Sequence, residues 1–170
     1  MKPIPSFSFE PATEEMAVSV GERMCEGDAR ECRLMSGSEP VEAILAAIRN
    51  MQLTDDKCLA CVINGQPEMI FGIKRESYLS DVGIVWMLHT DVPENWGLMF
   101  AKYSRKALMD LFEESECRMI SNFVLAENLR TVRWLMWLGF KFDVHFIKEG
   151  HKWLHFYMTK GADDGRSGRA

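Results

Sequence analysis

No stretch of this 170-residue chain stays apolar for the roughly 20 residues that a membrane-spanning helix requires. Its first residues also lack the basic-then-apolar pattern of an export signal, so a cytoplasmic location is expected. Positive charge is not in excess: 20 Lys and Arg stand against 25 Asp and Glu, a net charge of -5. That balance disfavours a general nucleic-acid binder, whose phosphate contacts need a basic surface, and leaves room only for a local basic patch. Cysteine is sparse and odd in number. Cys25, Cys32, Cys58, Cys61 and Cys117 suit a reducing compartment better than a disulfide framework. There is no internal repeat and no low-complexity core.

What is present is an ordinary globular composition, 47% apolar, with twelve methionines that make for an adaptable core. The length fits one core rather than two. The expected organisation is a loose lead over 1–6, one domain over 7–160, and a Gly-, Asp- and Arg-rich tail over 161–170 that has nothing to bury and is expected to be disordered.

Phe7 and Phe9 alternate in a first short strand ending at Pro11. Thr13 caps a helix with acids in its first turn, running with a break near Gly27 to Met35. Pro40 opens a second helix through Ile44, Leu45, Ile48 and Met51. Cys58–Ile63 and Glu68–Lys74 form a hairpin about Asn64-Gly65, a pair suited to two positive φ angles. Val82–Thr90 is continuously apolar from Gly83 to Leu88, the mark of a strand covered on both faces and central in its sheet. A long helix follows around Met99–Glu114, with Lys102, Arg105 and Lys106 placed early, against the helix dipole. Lys141–Ile147 and Trp153–Thr159 form a second hairpin about Glu149-Gly150.

The most specific stretch is Asn122–Phe140, NFVLAENLRTVRWLMWLGF. Phe123, Val124 and Leu125 make a strand. Asn128 offers a side-chain acceptor to the N–H groups of a helix that Gly139 closes. Leu129, Val132, Leu135 and Met136 recur at helical spacing, with Arg130 and Arg133 toward solvent.

At Asn128, Arg133, Leu138, Gly139 and Phe140 the chain resembles the GNAT superfamily of N-acetyltransferases. The order of strand, two helices, three strands, helix, strand, helix and two strands equals that superfamily's topology. The expected class is therefore a mixed α/β sheet protein with the GNAT-like acyl-CoA N-acyltransferase fold. Leu135 stands where the family usually has the tyrosine that protonates the departing thiolate. WMLHTD at Trp86–Asp91 and NLRTVRWLMWLG at Asn128–Gly139 also look like GNAT-like proteins of short-tailed bacteriophages, some assigned to virion internal-protein or morphogenesis roles.

The resemblance implies acetyl-CoA as co-substrate, its pantetheine arm lying between the fourth and fifth strands. Met87, Leu88 and His89 would supply strand backbone to it and Asn128 a hydrogen bond. Gly97 is the one glycine in the loop Asp91–Phe100, where the family usually carries a glycine-rich diphosphate loop. Lys102, Arg105 and Lys106 either meet the CoA phosphates or form a solvated helix face. His89 is the candidate base and Tyr157 a candidate acid, each with a purely structural alternative.

Pairing the last hairpin symmetrically about Gly150 would set His145 opposite His155 and Asp143 opposite Tyr157. Phe142, Val144, Phe146, Leu154, Phe156 and Met158 would then share the buried face. Two histidines without a third ligand do not make a metal site, and none is expected. Cys58 and Cys61, three apart on a strand, point to opposite faces. Trp134 and Trp137 share a helix side near Arg130 and Arg133, either as an interface anchor or as buried packing.

Two functions compete. One is acetyl transfer to an unidentified amine on a small molecule or protein. The other is a catalytically degenerate GNAT-shaped protein that binds a partner, or itself, through Trp134 and Trp137, for example in virion assembly.

Overall fold

A computed structural model describes residues 4–92 and 96–161 of the chain. The elements are β1 (Phe7–Pro11), α1 (Glu14–Glu22), α2 (Glu26–Ser36), α3 (Pro40–Thr54), β2 (Cys58–Ile63), β3 (Gln66–Arg75) and β4 (Val82–His89). They continue with α4 (Gly97–Glu114), β5 (Met119–Leu125), α5 (Leu129–Leu138), β6 (Lys141–Lys148) and β7 (His151–Thr159). The seven strands form one sheet in the order β1-β2-β3-β4-β5-β7-β6. Only β4 and β5 run parallel. The class is mixed α/β, as the sequence leads one to expect. Among the described residues no helix is long and apolar enough to cross a membrane. The lead at 1–3 and the tail at 162–170 lie outside the described residues.

Alternation along the central strands sends side chains into two cores. Val85, with Phe71 and Ile73 of β3, packs with Leu108 and Phe112 of α4 and Leu135 and Leu138 of α5. Trp86 and Leu88 lean instead on a cluster built from Ala17 and Val20 of α1 and Ile44 and Ile48 of α3. The apolar run of β4 thus lies in a strand covered on both faces. Cys61 and Cys58 go to opposite cores, as their spacing requires.

Three helices precede β2, not two. The break falls at Arg23–Cys25 rather than near Gly27, because Met24 pairs with Thr90 and the Cys25 N–H donates to the His89 carbonyl at 2.9 Å. The chain is held extended there by the end of β4, a tertiary cause that local propensity does not carry. Gly27 instead sits in the first turn of α2, where a Cβ would come within 2.8 Å of Asn128 Oδ1.

Both two-residue turns form where expected, with φ of 50° and 81° at Asn64-Gly65 and 51° and 79° at Glu149-Gly150. The register of the second hairpin differs from the symmetric one. His145 pairs with Leu154, Phe142 with Phe156, and a bulge sets Asp143 and Val144 against His155 alone. The bulge parts the expected face: Phe142 joins the α4–α5 core, Phe146 stacks on Trp153, and Val144 is 62% exposed.

The buried face of α5 is also rotated. Leu135 and Leu138 are buried, while Leu129 and Met136 are exposed, because the helix turns Trp134 inward against Phe100. Asn128 stands at the N-cap position but makes no side-chain cap bond; its amide is drawn to Glu31 instead.

The feature that positions the site is the seam between β4 and β5. They pair only at Val82–Met119, Gly83–Ile120 and Ile84–Ser121, then separate. Gly83 permits the close approach, since a Cβ there would meet Ile73 Cγ2 at 2.7 Å and Cys117 Sγ at 2.8 Å.

Candidate functional site

Beyond Ile84 the two strands enclose a cavity of 230 Å³ that reaches both faces of the sheet. Trp86, Leu88 and Ala47 line it on the α1–α3 side, and Val85, Leu135 and Trp134 on the α4–α5 side. A second cavity of 150 Å³ continues toward the start of α4, lined by Gly97, Ala101 and Arg130. His89, Thr131 and Trp134 belong to both. Together they form a cleft through the sheet with a mouth between α4 and α5.

Strand geometry dictates what the cleft offers. Peptide groups alternate along β4, so those of Val85, Met87 and His89 face the gap. The Val85 carbonyl accepts from Asn122 Nδ2 at 2.8 Å, and the His89 N–H donates to Asp28 Oδ2 at 2.9 Å. Across the gap the Leu125 N–H donates to Glu31 Oε1 at 3.1 Å, an oxygen that also accepts from Asn128 Nδ2 at 3.0 Å. Helix α2 thus lends one carboxylate to each parted strand, from positions three apart on one helical face.

Both carboxylates are withdrawn from water. Asp28 is 3% exposed. Burial, reinforced by the charge of Asp28, pushes the Glu31 carboxyl up to about 7, against the opposing pull of its Asn128 and Leu125 bonds. Glu31 Oε2 takes no hydrogen bond among the described residues, and Glu31 lines the larger cavity.

Two orphan donors lie buried in the walls around this arrangement. Among the described residues, Trp134 Nε1 and Trp153 Nε1 are the buried side-chain polar atoms without a hydrogen-bond partner, and both rings line the 230 Å³ cavity. A buried N–H left unpaired costs about 1–3 kcal/mol, which an acceptor would recover where the indole turns its N–H, now without accessible surface, into the cavity.

His89 is 7% exposed and engaged at both nitrogens. Nδ1 lies 2.8 Å from the Thr90 carbonyl, while Nε2 faces Asp28 Oδ2 at 3.6 Å and Cys25 Sγ at 3.9 Å. The Cys25 and Cys32 thiols are pushed up to about 12, first by burial and then by Asp28, which disqualifies them as free nucleophiles.

Of the other expected site residues, Met87 and Leu88 line the larger cavity and Gly97 the smaller one. Pro93, Glu94 and Asn95 of the expected diphosphate loop lie outside the described residues. Lys102 is exposed and not among the lining residues. The Arg105 guanidinium lies 5.9 Å from the Trp137 ring centre, and Lys106 pairs with Asp110 at 2.6 Å. Arg130 is exposed, as the sequence leads one to expect; it pairs with Asp91 at 3.4 Å and also lines the smaller cavity.

Tyr157 lies outside the cavity lining, stacked on His155, whose Nδ1 is 2.6 Å from Asp143 Oδ1; that bond holds the Asp143 carboxyl below its usual range. His145 and His155 do not meet. Trp134 and Trp137 do not share a surface: the first packs on Phe100 and His89, and the second is 51% exposed. Asp28, Glu31 and Trp153 were not singled out from sequence, since only the tertiary fold brings α2 and β7 to the cleft.

No family model matches the chain, and no curated protein matches it in sequence. Solved structures do match in fold. An acetyltransferase of the GNAT family from Streptococcus pneumoniae is 13% identical, with 91% of this chain and 99% of that one covered and a TM-score of 0.61. The ribosomal-protein-S5-alanine acetyltransferase of Vibrio fischeri is 10% identical over 92% and 94% of the two chains, with a TM-score of 0.65. The aminoglycoside acetyltransferase AAC(6')-Ib, solved with paromomycin and acetyl-CoA, is 16% identical over 96% and 99%, with a TM-score of 0.66. The chain has the fold of the GNAT acetyltransferases.

Proposed function

We propose that this protein is an acetyl-CoA-dependent N-acetyltransferase acting on a small cationic amine. The observation that carries the reading is the cleft through the sheet, with orphan indole N–H groups and buried carboxylates along one cavity. Its open strand edge fits a pantetheine arm, whose amides can pair with strand backbone. Acetyl-CoA supplies the acetyl group as a thioester; AAC(6')-Ib was solved with that molecule and with an aminoglycoside.

Each residue then has a task. With the Val85 carbonyl and the His89 N–H already bonded, Met87 is the remaining edge peptide of β4, and its N–H polarises the thioester carbonyl. Leu88, Leu135 and Trp134 exclude water. Asn128 and Trp134 hold the arm, while Arg130 and the start of α4 at Gly97 meet the diphosphate, with Lys102 one turn on. Glu31, on the cavity wall, favours a cationic acceptor. Glu31, with a pKa near neutrality and Oε2 unpartnered, takes the amine proton, a role His89 is less free to fill. Water protonates the departing thiolate, as Leu135 cannot and Tyr157 lies outside the cavity.

A second reading keeps the fold for binding alone. It rests on the half-exposed Trp137 beside the exposed Met136 and on the two phage-like phrases, which also carry the proposal of a phage origin and a place in host cytoplasm or virion. Calorimetric titration with acetyl-CoA, with melting followed in parallel, separates the two. Micromolar binding followed by turnover in a screen of amines supports the enzyme. No binding at millimolar ligand removes it and leaves the surface.

A further inference from the structure

We propose that Cys25, Asp28 and His89 form a binding site for one divalent transition-metal ion of the zinc class, where α2 meets the end of β4. The inference is independent of acetyl transfer.

The three potential ligand atoms lie within 4.8 Å of one another, and their residues are 7%, 3% and 7% exposed. His89 Nε2 is 3.6 Å from Asp28 Oδ2 and 3.9 Å from Cys25 Sγ. Ligands held at about 2.0–2.3 Å around a tetrahedral zinc stand roughly 3.3–3.7 Å apart, so the two His89 contacts are already near that spacing and the Cys25–Asp28 pair, within 4.8 Å, closes by at most about 1 Å.

The hydrogen bonding of His89 argues for a cation at this point. A carbonyl oxygen only accepts, so Nδ1, 2.8 Å from the Thr90 carbonyl, carries the ring proton. In the neutral ring Nε2 then presents a lone pair toward the Cys25 thiol, a weak donor, and toward Asp28 Oδ2, which has no proton to give when ionised. That second contact, away from water, calls for a positive charge between the two atoms, a metal ion or a second ring proton, and metal titration tells them apart. Among the described residues no Lys or Arg pairs with Asp28. A backbone carbonyl on Nδ1 is also the outer-shell contact that orients a metal-ligating histidine.

The local chain favours the other two ligands. Cys25 is the N-cap residue of α2, and Asp28 follows three residues on, on the same side of the first turn. Asp28 Oδ2 already accepts the His89 N–H, which fixes the carboxylate. Three protein ligands leave one position, and because Asp28 and His89 line the 230 Å³ cavity, it falls on the cleft side.

The test uses the full chain stripped with a chelator and titrated with Zn²⁺ or Co²⁺ alone. One equivalent is expected to bind, with a thiolate-to-cobalt charge-transfer band, the visible bands of a four-coordinate ion, and a Zn²⁺-dependent rise in melting temperature. Cys25→Ser is expected to lose the charge-transfer band and at least about 100-fold in affinity, more than removal of an outer-shell partner costs. Cys32→Ser is expected to keep both. Asp28→Asn provides a second probe should Cys25→Ser melt below the metal-free wild type. Binding that leaves melting unchanged, or a charge-transfer band that survives in Cys25→Ser, overturns the proposal.

Discussion

Asn128 Nδ2 donates to Glu31 Oε1 at 3.0 Å across 97 positions of chain, fastening the start of α5 to the middle of α2. The bond holds a carboxyl at the cleft edge whose pKa is raised from 4.5 to about 7, chiefly by burial. Between those values the native state binds more protons than the unfolded chain, so the contribution of Glu31 to stability is full below pH 4.5 and is lost as pH rises through about 7. Glu31→Gln is expected to flatten that part of a urea-denaturation pH profile, by at most about 3 kcal/mol.

The same substitution tests catalysis. If Glu31 takes the amine proton, Glu31→Gln lowers kcat by about 10²–10⁴-fold and removes the acidic limb of the pH–rate profile, with the KM for acetyl-CoA unchanged. A retained limb would assign the base elsewhere.

Trp134→Phe keeps a ring against Phe100 and deletes the orphan N–H. Affinity for acetyl-CoA is expected to fall by about 1 kcal/mol, with the melting temperature of the free protein unchanged or raised. Calorimetry and thermal melting read the two effects separately. A lowered melting temperature with unchanged affinity would make Trp134 a packing residue only.

Glu68 is 8% exposed and is held by Arg23 at 2.9 Å and by the Thr90 hydroxyl. Arg23→Ala leaves that carboxylate buried without a cation and should cost about 2–4 kcal/mol in chemical denaturation. A loss below about 0.5 kcal/mol would place the pair among surface ion pairs.

Gly27→Ala presses a Cβ against Asn128 Oδ1, which lies 2.8 Å from the ideal position. In the wild type it should destabilise by displacing the Asn128–Glu31 bond. In an Asn128→Ala background it should become stabilising by about 0.5–1 kcal/mol, the usual gain of alanine over glycine inside a helix. A double-mutant cycle measures the coupling.

The parts legible in the sequence are those written locally. Asn64-Gly65 and Glu149-Gly150 specify turns because their φ requirements sit on the residues themselves, and the unbroken apolar run of β4 reports two covered faces. The topology followed from that order, but the helix count at Arg23–Cys25 did not, since the break is imposed by Thr90 and His89. Of the residues that the family resemblance put at the site, Met87, Leu88, His89 and Gly97 line the cleft. Asp28, Glu31 and Trp153 were not among those residues, because nothing in their own segments marks them until α2 and β7 close on the gap. Asn128 stands at the expected N-cap position without the expected cap bond, its amide donating instead to a carboxylate far along the chain.

The bulge at Asp143 and Val144 has a consequence for the molecule among its copies. β6 is an edge strand, and a straight edge with exposed Val144 and Ile147 would be a template on which another chain could add a strand. Setting two residues against one breaks the regular row of outward N–H and C=O groups midway along that edge and twists it. A single extra residue thereby discourages growth of the sheet from molecule to molecule at β6.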